Sequence, residues 1–262
     1  MTQQDIDASE APLIEHLIEL RRRLMYCVLG FIAAFIVSFF YSSTILHYLV
    51  LPFKWGTGTD VSLISIKLLG VFLVKLKIAF FGGLFIAFPL IATQIYRFMA
   101  PGLYAHEKNA FRPYLIATPV FFLLGAALVY FFLLPTAIHF FYNLAAGTGS
   151  DDQTAIQLMP DIEAYLDFVM MLILAFGFCF QLPVILTLLG HIGVVSYDQL
   201  KSGRKFAIVG VFIVAAVVTP PDPISQIAMA IPLMGLYEIS VQAVRYLDNR
   251  RKKAEAAREA EG

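Results

Sequence analysis

Two acidic residues beside apolar runs, Glu19 and Glu107, are the side chains best suited to recognition chemistry. Glu19 stands in His16-Leu17-Ile18-Glu19-Leu20-Arg21-Arg22-Arg23-Leu24, and Glu107 closes Phe98-Met99-Ala100-Pro101-Gly102-Leu103-Tyr104-Ala105-His106-Glu107. Carboxylate and guanidinium match as planar forks and can join through two parallel hydrogen bonds. Two carboxylates at one membrane face, next to apolar Phe98 and Leu103, therefore suit a ligand with paired guanidiniums and an apolar stretch. The plainer alternative is a pair of exposed acids bridged weakly to Arg21 and Arg112, which carries little energy.

The elements that must hold these acids follow from the pattern around them. Leu13, Leu17, Leu20 and Leu24 recur at helical spacing on one face, with Glu15 and Glu19 on another side. Residues 1–23 thus read as an amphipathic helix at the cytoplasmic surface that runs into the first span. Acidic residues precede a first apolar run too long for a secretory leader, so that run is expected to be retained. Pro101-Gly102 marks a turn in the first cytoplasmic loop and carries the chain toward Glu107.

Apolar residues make up 59% of the chain and charged residues 15%, against about 45–50% and about 25% in a soluble domain. The apolar residues gather into six runs, at about Leu24–Leu46, Leu69–Tyr96, Tyr114–Ile138, Ile162–Leu189, Phe206–Val218 and Ile224–Val244. About 20 helical residues cross a hydrocarbon core of about 30 Å. Most of the 19 basic residues fall before the first run, in the second and fourth loops, and after the last run. Positive charge stays on the cytoplasmic side. The expectation is an all-α integral membrane protein of the bacterial inner membrane, with six transmembrane helices, both termini cytoplasmic and helices five and six short. Residues 1–246 would form one membrane domain and 247–262 a charged cytoplasmic tail, frayed helix or disordered. The fifth run is the outlier, with Pro220, Pro221 and Pro223 close behind it. It reads either as half of a short buried hairpin or as a site of local bilayer thinning. The first outer loop, His47–Lys67, holds Trp55 as an interfacial anchor.

Polar groups inside the runs are costly and are functional candidates by default. Gln181, just before Pro183, and Gln226 are candidates for contact with a partner's span. Glu238 lies near the inner end of the last run. Lys75 and Lys77 read as snorkelling side chains. Asp161 and Glu163 suit a helix N-terminus. Cys27 and Cys179 read as packing residues. The five histidines are scattered, and no metal-binding, nucleotide-binding or hydrolase motif is present, so no metal, cofactor or enzymatic activity is expected. Net charge is zero, which gives no reason to invoke nucleic acid. The basic residues face membrane lipid.

Several of these stretches together resemble the TatC family, the polytopic receptor of the twin-arginine protein translocase. The resemblance rests on His16-Leu17-Ile18-Glu19-Leu20-Arg21, on Phe98–Glu107 and on Thr219-Pro220-Pro221-Asp222. Asp161-Ile162-x-x-Tyr165-Leu166-x-Phe168, Ser225-Gln226 and Ala230-Ile231-Pro232 add to it. It covers about Leu13 to Tyr246. The resemblance implies binding of twin-arginine signal peptides on folded cargo, recruitment of TatB-like and TatA-like single-span subunits, self-association in a larger complex, and use of the proton-motive force. It implies signal-peptide roles for Glu19 and Glu107, with Phe98 as the apolar contact and Arg21 and His106 in the same motifs. It implies structural roles for Pro52, Pro89, Pro220, Pro221 and Asp222. Gln181 stands where the family often has glutamate, and an amide cannot carry a proton near neutral pH. The rival expectation is a proton-coupled secondary transporter of a small solute, which calls for an internal repeat and charges converging at mid-membrane. Neither is visible.

Overall fold

The computed structural model describes residues 3–58, 63–99, 112–147, 160–218 and 223–261. The described residues are almost entirely helical: α1 (Gln3–Phe40), α2 (Ser42–Thr57), α3 (Gly70–Met99), α4 (Arg112–Leu128), a π-helical turn (Val129–Leu133), α5 (Leu134–Gly147), α6 (Ile162–Cys179), α7 (Leu182–His191), α8 (Tyr197–Val218) and α9 (Pro223–Glu261). Four stretches are long and apolar enough to cross a membrane: His16–Phe40, Gly70–Phe98, Pro113–Leu144 and Ile162–His191. They match the first four expected runs. The chain divides into two compact units, Met1–Leu46 with Lys75–Pro119, and His47–Val74 with Val120–Gly262.

In the first unit α1 and α3 run antiparallel in close contact. Gly30 lies beside Leu90, Phe35 beside Gly83 and Ser38 beside Gly82. A Cβ added at Gly83 would sit 2.9 Å from the Phe35 Cα, so the small residue is what lets the backbones meet. Close backbone approach is how helices associate where lipid removes the hydrophobic drive. Further along the same pair, Phe31 meets Phe80 edge to face at 5.3 Å. The start of α4 joins α3 through Thr118, whose hydroxyl bonds the Tyr96 phenol at 3.0 Å.

The first run does not end as the hydropathy implies. Helix α1 stops at Phe40, a single turn residue follows, and the chain re-enters α2 at Ser42. Most of the expected outer loop is therefore helix. Pro52, Gly56 and Gly58 read as loop signals, yet Leu49, Pro52, Phe53 and Gly56 share one buried helical face. The proline is accommodated by its neighbours in the second unit. Pro52 has no N–H for the Tyr48 carbonyl four residues back. The Tyr130 hydroxyl donates to that carbonyl at 2.6 Å. The Tyr165 hydroxyl donates to Leu49 O at 2.8 Å, and Gly56 lets Ile138 of α5 approach.

Elsewhere in the second unit, α4 and α6 meet through glycines: Gly177 against Phe122, and Gly125 against Phe176 and Phe180. Asp161 caps α6 by accepting from Ala164 N at 3.3 Å. Gly193 closes the turn after α7 with a φ of 75°, a conformation that suits glycine. Leu200, Val241 and Val244 form a small buried cluster with Leu186, Val195, Tyr197 and Tyr237.

The helices that carry the fifth and sixth apolar runs extend well beyond those runs. Helix α8 has 22 residues and α9 has 39; only their apolar stretches are brief. The reason for α8 lies in Ser196 and Gln199. Gln199 N bonds Ser196 Oγ at 3.3 Å, and Ser196 N bonds Gln199 Oε1 at 2.9 Å. This reciprocal capping box starts the helix well ahead of Phe206. Helix α9 runs through Val244 into the charged tail and reaches Glu261.

Candidate functional site

The predicted recognition residues that are described gather in the first unit, where the beginning of α1 lies beside the end of α3. Phe98, in the last turn of α3, stacks on His16 with ring centroids 4.2 Å apart and planes 19° from parallel. His16 Nδ1 lies 4.0 Å from Glu19 Oε2. Glu19 is thus one helical turn from a pair of stacked rings. Arg21 is exposed on α1 and makes no ion pair with a described residue. Glu107 and His106 lie outside the described residues, as do Pro220, Pro221 and Asp222.

Two neighbours of Glu19 were not singled out from the sequence. Arg23 bonds Glu19 Oε1 through Nε at 3.0 Å and through NH2 as well. It also reaches the Gln94 side-chain oxygen on α3 with NH1, at 3.4 Å. The side chains of Glu19 and Arg23 are 23% and 17% exposed, so the pair is partly shielded. The sequence alternative placed Arg21 against an acid. Helix geometry favours Arg23, because residues four apart share a face and residues two apart do not. That spacing was readable. Gln94, 71 residues away in the chain, was not.

Several polar side chains of the second unit bond to groups within that unit. Gln181 lies in the break between α6 and α7, with Pro183 in the first turn of α7. Its N–H turns to Phe178 O at 2.9 Å, and its side-chain amide donates to Gly177 O at 3.4 Å. The side chain therefore serves a carbonyl beside the break, which is one way to carry an interrupted helix through apolar surroundings. Gln226 Nε2 donates to Phe212 O on α8 at 3.3 Å. Glu238 pairs with Arg204 at 2.6 Å. Lys67, ahead of α3, donates to the buried Glu163 carboxylate at 2.6 Å. That bond and the nearby negative charge hold the Lys67 ammonium above the ordinary lysine value. Pro52 is buried in α2. Pro89 stands inside α3, where its carbonyl accepts from Thr93 Oγ1 at 2.7 Å. Among the described residues no group of three or more His, Cys, Asp or Glu could hold a metal ion.

Comparison with known proteins places this geometry in context. The family model described as TatC, Sec-independent protein translocase protein, matches residues 15–232. A protein of Magnetococcus marinus named Sec-independent protein translocase protein TatC is 43% identical over 252 residues, covering 96% of this chain and 90% of its own. Its Escherichia coli namesake is 35% identical over 235 residues, covering 90% and 88%. A crystal structure described as the twin arginine translocase receptor TatC superposes with a TM-score of 0.77 at 35% identity, covering 89% of this chain and 99% of that one.

Proposed function

We propose, because this chain belongs to the TatC family of Sec-independent protein translocase proteins, that it is the signal-peptide receptor and core scaffold of a twin-arginine translocase. Members of the family are translocase components, and the chain is not an enzyme. It is a multi-pass membrane protein. The proposal goes further, to a bacterial inner membrane protein with six spans, residues 1–246 as its membrane domain, and both termini, with the tail 247–262, in the cytoplasm. The charge pattern of the loops supports that orientation. Phe206–Val218 on α8 and Ile224–Val244 on α9 supply the fifth and sixth spans.

The observation that carries the reading is the cluster of Glu19, His16 and Phe98. It sets a carboxylate beside stacked rings at the edge of an apolar helix. A signal peptide with consecutive arginines offers the matching parts: planar cations for the carboxylates of Glu19 and Glu107, and an apolar segment for Phe98. Arg21 and His106 belong to the same recognition motifs. Gln181 and Gln226 contact the spans of TatB-like and TatA-like subunits, several copies of the chain assemble, and the proton-motive force drives transport. Pro220, Pro221 and Asp222 shape the turn between the last two spans. The transporter alternative finds no support in the family relationship.

The test is photocrosslinking of a twin-arginine signal peptide to membranes that contain this chain. Crosslinking is expected to fall at least about tenfold with Glu19→Ala or Glu107→Ala, in line with loss of a charge-assisted contact worth about 1.5–3 kcal/mol. It is expected to persist with Glu10→Ala. Wild-type crosslinking in both site variants refutes the assignment.

A further inference from the structure

Glu19 is already occupied. In the structure Arg23 donates Nε and NH2 to Glu19 Oε1 and is steadied at its other end by Gln94. The remaining carboxylate oxygen, Oε2, faces the His16 ring at 4.0 Å. Arg21 and Arg22 are exposed on the same helix. The one described carboxylate of the recognition cluster is therefore neutralised by a guanidinium of its own helix, the same chemical group that the ligand would bring.

We infer that Arg23 is a resident competitor for the signal-peptide carboxylate and sets the affinity threshold of the site. The inference rests on the reading of Glu19 as a signal-peptide contact. A peptide arginine engages Glu19 with its full fork only when Arg23 has released Oε1. Until then it meets an ion pair with no net charge. A ligand that binds only the released form has its affinity reduced by the fraction of molecules in that form. The reduction is the same factor for every cationic ligand. Arg23 thus lowers the affinity of weak ligands and strong ligands alike. A peptide with two lysines, whose ammonium groups cannot form the bidentate contact, is pushed below useful occupancy, while a twin-arginine peptide remains above it. Gln94 has a part in this arrangement: it gives the Arg23 guanidinium an acceptor that does not depend on Glu19.

The prediction is a gain of binding, which damage to the fold does not produce. The measurement is equilibrium binding of fluorescent twin-arginine and twin-lysine signal peptides to the full chain in lipid nanodiscs, at one salt concentration. Arg23→Gln is expected to tighten both peptides about fivefold, the scale of a partly shielded charge-assisted pair, with the ratio between them unchanged. Arg23→Lys, which keeps the charge but loses the fork, is expected to give a gain of about twofold, and it serves if Arg23→Gln does not fold. Unchanged or weaker binding in the folded variants overturns the inference, as does a gain confined to one peptide. Glu19→Gln in the wild-type and Arg23→Gln backgrounds separates the two levels of argument. If it abolishes binding while Arg23→Gln brings no gain, the receptor reading stands and the competitor falls. If it leaves binding intact in both backgrounds, Glu19 is not the contact and both fall.

Discussion

Removing the Tyr130 hydroxyl tests how α2 tolerates a proline in its interior. Pro52 denies the Tyr48 carbonyl its helical partner, and the Tyr130 phenol supplies a replacement at 2.6 Å. In Tyr130→Phe that carbonyl loses the bond. An unsatisfied buried acceptor costs about 1–3 kcal/mol, while side-chain hydrogen bonds between membrane helices average about 0.6 kcal/mol. Tyr48 is 58% exposed, so the loss is expected to be about 1 kcal/mol. In the Pro52→Ala background residue 52 regains an N–H that can reach Tyr48 O, and Tyr130→Phe is expected to cost only about 0.3 kcal/mol, because the carbonyl is served from within the helix. The coupling in the double-mutant cycle is then at least about 0.5 kcal/mol. The assay is reversible unfolding in mixed micelles followed by circular dichroism. Trp55, the only tryptophan of the chain, adds a local fluorescence reading because its ring lies 5.7 Å from that of Tyr130. Equal costs of Tyr130→Phe in the two backgrounds refute the reasoning.

Two further outcomes follow from contacts in the second unit. A Cβ at Gly177 would lie 2.5 Å from Phe122 Cε2, so Gly177→Ala is expected to lose about 1–3 kcal/mol and to recover with Phe122→Leu, as read by the thermal midpoint in detergent. Lys67→Met leaves the buried Glu163 carboxylate without its cation and is expected to lower the midpoint. Glu163 raises the Lys67 value in the folded chain, so the stabilisation is fully present below the ordinary value of 10.5 and is lost as the pH rises through the higher folded value. The gap between wild type and Lys67→Met should therefore stay constant near neutrality and close above pH 10.5.

The four long membrane helices were legible because each carries a continuous apolar run, and their positions differ from expectation chiefly at the ends. Helix α2 was not legible, since Pro52 and Gly56 signal a loop and their neighbours Tyr130 and Ile138 come from far along the chain. The start of α8 could have been found. Ser196 and Gln199 carry the capping-box spacing, but the hydropathy drew attention to Phe206 instead. At the site, Glu19 was legible as an acid in a basic, amphipathic stretch. Its pairing with Arg23 follows the four-residue rule and could have been read. The stacking of His16 on Phe98 and the reach of Arg23 to Gln94 depend on α1 lying antiparallel to α3. That arrangement is set by glycines at 82 and 83, whose role no local pattern announces.

The unbroken course of α9 turns the C-terminus into a strut. The helix is seated by Val244, which packs against Gly190, and again by Arg251, whose guanidinium lies over Gly193. From Arg251 to Glu261 it continues for about 15 Å at the usual rise per residue. A fluorophore or fused domain placed after Glu261 would be carried at a set stand-off and bearing from the α7–α9 contact, instead of sweeping a sphere on a slack tether. Insertion of two residues near Ala254 would swing such a cargo about 200° around the axis while adding only about 3 Å to its distance.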